Sequence, residues 1–203
     1  CGRNFEYDSE DPLLSGMMAS AINLGVQKIP GCGTTIKHFA CNNQEDNRMG
    51  SDSVLSERAL REIYLKGFEI AVKNSQPMSI MTSYNQINGV HAANSYDICT
   101  KAARDEWGFA GAIMTDWTTT TASTAGVCTA AGCMRAGNDM VMPGVKADHD
   151  NIRQELKEGT LEPGALQRCI CNTVSLALQS NQYEEAVSYG SQFDGLGTYM
   201  TVD

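Results

Sequence analysis

Short apolar runs alternate with amphipathic stretches along this chain, joined by brief connections, which predicts an α/β fold with a parallel sheet flanked by helices. The runs are continuous, as in Ala112-Ile113-Met114, so the strands are expected to be buried on both faces. Composition agrees: of 203 residues, 42% are apolar and 19% charged, the balance of a globular domain.

The first helix is expected to begin at Asp11-Pro12, an acidic cap followed by a proline in the first turn. Leu13, Leu14, Met17, Met18, Ala21 and Leu24 then recur at helical spacing up to Gly25. After Pro30-Gly31-Cys32-Gly33 comes a short strand, Thr34 to Phe39, and a polar loop over 42–48. Ser56 caps the next helix, with Glu57 at its positive end and a stripe of Leu60, Ile63, Tyr64, Phe68 and Ala71. Met78 to Tyr84 reads as a buried strand, followed by an Asn88-Gly89 turn and a helix from Asp97 to Trp107. Gly108 and Gly111 bracket the bend into a strand over Ala112 to Thr115. An Ala/Gly-rich helix follows, and Asn138 to Gly144 reads as a fourth strand stopped by Pro143-Gly144. Two helices close the chain, Ile152 to Glu158 and a stripe of Leu166, Ile170, Val174 and Leu178.

Four strands thus carry polar residues at their C-terminal ends: Lys37-His38, Ser83-Tyr84-Asn85, Asp116-Trp117 and Asp139. In a parallel (β/α) TIM-barrel-like domain that end is the rim where chemistry is done. A complete barrel takes eight strands and roughly 250 residues. The chain is therefore expected to cover about the last four β/α units over residues 1–188, with an irregular Gly/Ser/Tyr-rich tail over 189–203.

Charge narrows the partners. Lys and Arg number 15 against 24 Asp and Glu, a net charge of −9, which disfavours phosphate backbones and anionic lipid, so neither nucleic acid nor membrane is expected. The chain opens Cys1-Gly2-Arg3, without methionine, and reads as beginning in mid-sequence. Eight cysteines could form a disulfide framework. Against it, Cys169 and Cys171 are two apart in a helical pattern and point apart, and Cys128 and Cys133 have no histidine near them in sequence to complete a zinc site. Buried free thiols in a reducing cytoplasm are expected, with export as the alternative.

The rim residues by themselves leave two chemistries open. Lys37 could form a Schiff base, or Lys37 and His38 could bind sugar hydroxyls while Asp116 acts as nucleophile in a retaining glycosidase. Glu45 and Arg48 read as an ion pair shaping a loop, Asp139 as an anchor for the loop after the last strand, and His91 and His149 as surface residues.

The motifs go further. Gly2-Arg3-Asn4-Phe5-Glu6-Tyr7 through Ser9-Glu10-Asp11-Pro12, Lys37-His38-Phe39-Ala40 with Asn43-Gln44-Glu45 and Arg48, and Ser56-Glu57-Arg58-Ala59-Leu60-Arg61-Glu62 occur in order. So do Met81-Thr82-Ser83-Tyr84-Asn85, Trp107-Gly108-Phe109, Met114-Thr115-Asp116-Trp117 and Gly137-Asn138-Asp139-Met140. Together they resemble glycoside hydrolase family 3 β-glucosidases and β-xylosidases from Cys1 to about residue 180. The resemblance implies that Asp116 is the nucleophile of an exo-acting retaining β-glycosidase. It implies that Arg3, Lys37, His38 and Tyr84 bind the hydroxyls of the terminal sugar, and that Met81 and Trp117 line the pocket. Tyr84 is expected to donate to the nucleophile or the sugar ring. The family's sugar-clamping aspartate would precede Cys1, and its general acid/base comes from a separate C-terminal domain, so the acid/base is expected outside this chain. One branch, the N-acetylglucosaminidases, takes it from an Asp-His pair after the first rim strand; Ala40-Cys41-Asn42-Asn43-Gln44 lacks that pair. The mechanism calls for no cofactor or metal. The alternative is a non-catalytic half-barrel that binds sugar, or associates with the remainder of the enzyme or as a homodimer across its open edges.

Overall fold

The computed structural model describes residues 4–122 and 127–180; the expected tail lies outside the described residues. Strands β1 (Thr35–Phe39), β3 (Ser79–Thr82) and β6 (Ala112–Met114) form one parallel sheet in the order β1-β3-β6. Ile36 lies opposite Ile80, and Ile80 opposite Ile113, so a row of isoleucines crosses the sheet. The row is wholly buried at Ile80 and Ile113, and Phe39 stacks obliquely on Phe68 and edge-on to Trp107 beneath it.

The fourth expected strand is reduced to a single parallel bridge between Met114 and Met140. The Asp139 and Met140 N–H groups both donate to the Ile113 carbonyl, but the Met142 N–H turns to the Thr115 hydroxyl, and Pro143 has no N–H to give. The ladder therefore ends as soon as it starts. Among the described residues there is also a second small sheet that the sequence did not suggest, β2 (Asp52–Ser53), β4 (Gln86–Ile87) and β5 (Val90–His91). The expected Asn88-Gly89 turn joins β4 to β5, with φ of 51° and 81° at its two residues, the left-handed pair that suits a tight hairpin. Asn88 bonds the backbone of Leu55 in both directions, and Asp52 accepts from the Gly89 N–H.

Helix α1 (Pro12–Val26) starts as expected, with Asp11 accepting from the Leu14 N–H. Its orientation is a correction. The residues it buries are Gly16, Ser20 and Asn23, while Leu13, Leu14, Met17, Met18, Ile22 and Leu24 are exposed. Close approach decides this: a Cβ at position 16 would meet the Ile70 Cβ at 2.7 Å, so only glycine lets α1 seat on α3 (Lys66–Ser75). Asn23 completes the seam by donating to Ser75 and accepting from Thr34. The helix before α3 begins at Ser56 as expected, runs as α2 (Glu57–Ala59), widens into a π-helical turn over Leu60–Tyr64, and packs Leu60 and Tyr64 against the core beside Phe68 of α3. A second π-helix, Asp97–Glu106, precedes β6.

After β6 come α4 (Thr119–Ala122), α5 (Ala130–Ala136), α6 (Lys146–Glu158) and α7 (Pro163–Gln179). The last buries Cys169 and leaves Ile170, Val174 and Leu178 about half exposed. Among the described residues no helix is long and apolar enough to cross a membrane.

Asp139 is the second correction. It does not sit at the rim with Asp116 but beside the middle of β6, where its carboxylate accepts from the Ile113 N–H at 2.7 Å and from Arg104 at 2.6 Å. The cause is the short bridge, which aligns Asp139 with Ile113 so that the chain reaches the rim only at Met142. Arg104 also donates to the Gly111 carbonyl, and Asn172 of α7 holds the other carboxylate oxygen. Burial pushes the Asp139 carboxyl above its ordinary value, while the Arg104 charge pulls it back. A raised carboxyl group loses stability as pH rises through its folded value. Arg104→Met should therefore cost about 3 kcal/mol at neutral pH, because it strands a buried carboxylate, and clearly less at an acid pH low enough for that carboxylate to take up its proton. Urea unfolding at the two pH values checks this; an equal loss at both would contradict it.

Candidate active site

Parallel strands bring their C-terminal ends to one side, and three of the predicted segments meet there. β1 pairs regularly with β3 up to Ile36 and again at Phe39, and the interruption falls on Lys37 and His38. An irregularity of this kind re-aims side chains where a strand leaves its sheet. The Lys37–His38 and Phe39–Ala40 peptide bonds are both cis.

His38 is buried and reaches across the sheet: its Nε2 lies 3.6 Å from Oδ2 of Asp116, beyond hydrogen-bond length but close enough for the two to feel each other's charge. Its Nδ1 shares a 2.7 Å hydrogen bond with the Tyr7 hydroxyl. The carboxylate favours the tautomer with a proton on Nε2, which leaves Nδ1 to accept from Tyr7. Residues 7, 38 and 116, from three separate motifs, thus form one line of contacts.

Asp116 is 8% exposed, enclosed but open on one side. Its Oδ1 accepts from the Trp117 N–H at 2.7 Å, and its carbonyl accepts from the Thr119 hydroxyl. The loop is pinned further by the Thr115 and Thr118 N–H groups, which donate to the Met140 and Met142 carbonyls. Thr118 stands at φ 61°, a left-handed conformation unfavourable for a β-branched residue. Such strain is tolerated where surrounding bonds hold it, and it gathers at functional sites.

Tyr84 departs from expectation. Its hydroxyl donates to the Trp117 carbonyl at 2.8 Å, so it braces the backbone beside Asp116 instead of donating to that carboxylate. The Arg48 guanidinium lies 4.7 Å over its ring and pairs with Glu45 at 3.1 Å, which gives the expected ion pair a second task. Trp117 is 54% exposed and presents its indole at the mouth of the site. Met81 lies opposite Met114 on the neighbouring strand, two residues before Asp116. Lys37 is held by Glu6 at 2.7 Å with its side chain still 43% exposed, which keeps its ammonium at the rim. Arg3 lies outside the described residues. Glu6 and Tyr7 were present in the sequence motif without a role; their partners on β1 supply one.

The second small sheet fixes the loops around this cluster. Asn85 and Ser83 both donate to the Ala40 carbonyl, and Ser53 donates to the Cys41 carbonyl, so the segments leaving β1 and β3 are bonded to each other. The arrangement offers a largely buried carboxylate beside an imidazole, an ammonium and an exposed aromatic face. It can attack an electrophilic carbon and bind hydroxyl groups around it.

Residues 2–171 match the family model described as the glycosyl hydrolase family 3 N terminal domain. The chain belongs to this family. A β-glucosidase of Ruminococcus albus is 46% identical over 187 residues, covering 89% of this chain and 19% of the relative. An exo-α-(1→6)-L-arabinopyranosidase of Bifidobacterium breve is 45% identical, covering 86% of this chain and 22% of the relative. Among solved structures, β-glucosidase 3B from Thermotoga neapolitana in complex with α-D-glucose superposes with a TM-score of 0.82 at 45% identity, over 90% of this chain and 26% of that one. The family 3 domain described here thus spans about a fifth of the curated relatives it matches, and the TIM-barrel-like α/β class expected of it holds for the part it covers.

The Tyr84 brace gives a measurable expectation. Tyr84→Phe removes a buried donor from the Trp117 carbonyl and should lower stability by about 1 kcal/mol. Iodide should then quench Trp117 fluorescence more strongly than in the unaltered chain; unchanged quenching and stability would show that the bond does not hold the loop.

Proposed function

We propose that this chain carries the nucleophile side of a retaining, exo-acting β-glycosidase site of the β-glucosidase type, which removes terminal non-reducing β-D-glycosyl residues. The observation that supports it best is the approach of His38 to Asp116, which unites two motifs at one strand-end rim. The family membership and the β-glucosidase relatives support the same reading.

In this reaction Asp116 attacks the anomeric carbon as the glycosidic bond breaks and the leaving oxygen takes a proton from a second carboxyl group. The resulting glycosyl ester is hydrolysed by water, which restores the carboxylate with the anomeric configuration retained. Lys37 and His38 donate to sugar hydroxyls, bonds that strengthen as positive charge develops on the ring. Trp117 gives the sugar's C–H face an apolar wall, and Tyr84 with Arg48 keeps the backbone behind Asp116 in place. Arg3 belongs to the same hydroxyl-binding set. The relatives are several times longer than this chain, which leaves room in a longer protein for the acid/base and the remaining sugar contacts.

The test uses a substrate that does not need the acid. An activated 2-fluoro-glucoside should leave a covalent glycosyl group on peptide 105–135, at Asp116. Asp116→Asn should remove all labelling, and His38→Ala should slow it roughly 10²-fold, the cost of losing one well-placed donor. Labelling that persists in Asp116→Asn would overturn the assignment. The arabinopyranosidase relative supports a second sugar, so an activated α-L-arabinopyranoside belongs in the same assay.

The exposed apolar stripes of α1 and α7 support association with the remainder of such an enzyme, or pairing of two chains. Light scattering of the chain alone should show a mass above one copy at micromolar concentration; a monodisperse monomer would contradict it. The free thiols support a reducing compartment, the cytoplasm being the expected one.

A further inference from the structure

Two cysteines and a histidine meet away from the rim, and no step of glycoside cleavage uses them. Thr129 caps α5, its hydroxyl accepting from the Gly132 N–H at 3.0 Å. Cys128 is thus the residue before the cap and Cys133 the fourth residue of the helix, the two positions whose side chains touch across a helix start. That contact is usually between two apolar residues; here it joins two buried thiols of one core cluster. Asn94 donates to the Cys133 sulfur at 3.1 Å.

His91, expected at the surface, is 2% exposed, because β5 delivers it beneath α5. Its Nδ1 accepts from the Ala93 N–H, which puts the ring proton on Nε2. Among the described residues that Nε2 is buried with no hydrogen-bond partner, and the thiol it influences is Cys128. The expectation that Cys128 and Cys133 have no histidine near them therefore holds in sequence and fails in space. Asp148 of α6, bonded to Thr120 and to the Val145 N–H, is the anion facing the group. Among the described residues no set of three or more His, Cys, Asp and Glu is placed to hold a metal ion, so the arrangement is one of paired thiols.

We propose that Cys128 and Cys133 form a peroxide-reactive dithiol that closes to a disulfide within one chain. The Cys128 thiolate attacks the distal oxygen of a hydroperoxide, forming an S–O bond as the O–O bond breaks, and the alcohol or water leaves with a proton. The sulfur is oxidised by two electrons and the peroxide is reduced. Cys133 then attacks that sulfur; the S–S bond forms, the S–O bond breaks, and the hydroxide departs as water with the Cys133 proton.

The two thiols are suited to different halves of this sequence. The Cys133 thiol lowers the Cys128 thiol, burial opposes, and the nearby His91 ring adds to the lowering. Cys133 is pushed up by that same pairing and by burial, so it keeps its proton until the first sulfur has been oxidised. Burial pushes Cys41 and Cys169 up to about 12, which sets them apart from Cys128.

Both cysteines lie in the single tryptic peptide 105–135, which holds no other cysteine. The full chain is treated with a small excess of hydrogen peroxide, quenched with iodoacetamide, digested and weighed. The peptide should lose two hydrogens and resist alkylation before the peptides carrying Cys41 and Cys171 change, and dithiothreitol should reverse the loss. Cys133→Ser should stop at a dimedone adduct on Cys128, and His91→Phe, with its fold checked by thermal melting, should slow oxidation roughly tenfold. A doubly alkylated peptide 105–135 from chains in which Cys171 is already oxidised would overturn the proposal. So would sulfinic acid on Cys128 without the two-hydrogen loss.

Discussion

The parallel register of three short strands is the constraint on which everything else rests. Ile36, Ile80 and Ile113 lie in one row, so the strands end together, and whatever follows each of them arrives at the same place. The site is therefore a consequence of alignment. Shifting one strand by a single residue would turn its core residues outward and carry its rim residue away from the others. The wholly buried Phe39, Ile80 and Ile113 oppose such a shift because each would lose its packing at once.

The two ends of the sheet have different work. At the end where Asp116 emerges, the backbone accepts unfavourable conformations, with Thr118 at φ 61° and Cys41 at φ 66°. At the other end, the Arg104–Asp139 pair ties a π-helix, β6 and α7 together with short charged hydrogen bonds. Strain sits at the rim, where local bonds hold it, and a separate charged tie secures the opposite side. This matches the division seen in barrel enzymes between a rim that varies with chemistry and a base that secures the fold.

Much of this was legible in the chain. The caps at Asp11 and Ser56, the Asn88-Gly89 turn and the buried strands β3 and β6 follow from local chemistry, and the structure has them where the residues place them. Asp116, His38 and Lys37 stood out because polar residues ending an apolar run are unusual, and they do so at both of these strands. What was hidden depends on partners distant in sequence. Tyr84 could be assigned to the site, but only the folded loop shows it bonding the Trp117 carbonyl. His91 reads as a surface residue in the sequence; the hairpin carries it under α5. Asp139 was placed at the wrong end because a strand of ordinary length was assumed, and Pro143 with Thr115 stops it after one bridge.

Helix α1 carries a consequence for how this sequence tolerates change. Its face of glycine, serine and asparagine is the one that fits against α3, and its leucines and methionines look outward. A reader ranking positions by hydropathy would guard Leu13 and Met17 and treat Gly16 and Ser20 as expendable. For the packing described here the ranking is inverted. A single added methyl at Gly16 would wedge two helices apart. In a library of variants, the small residues of α1 would be the ones that selection refuses to give up.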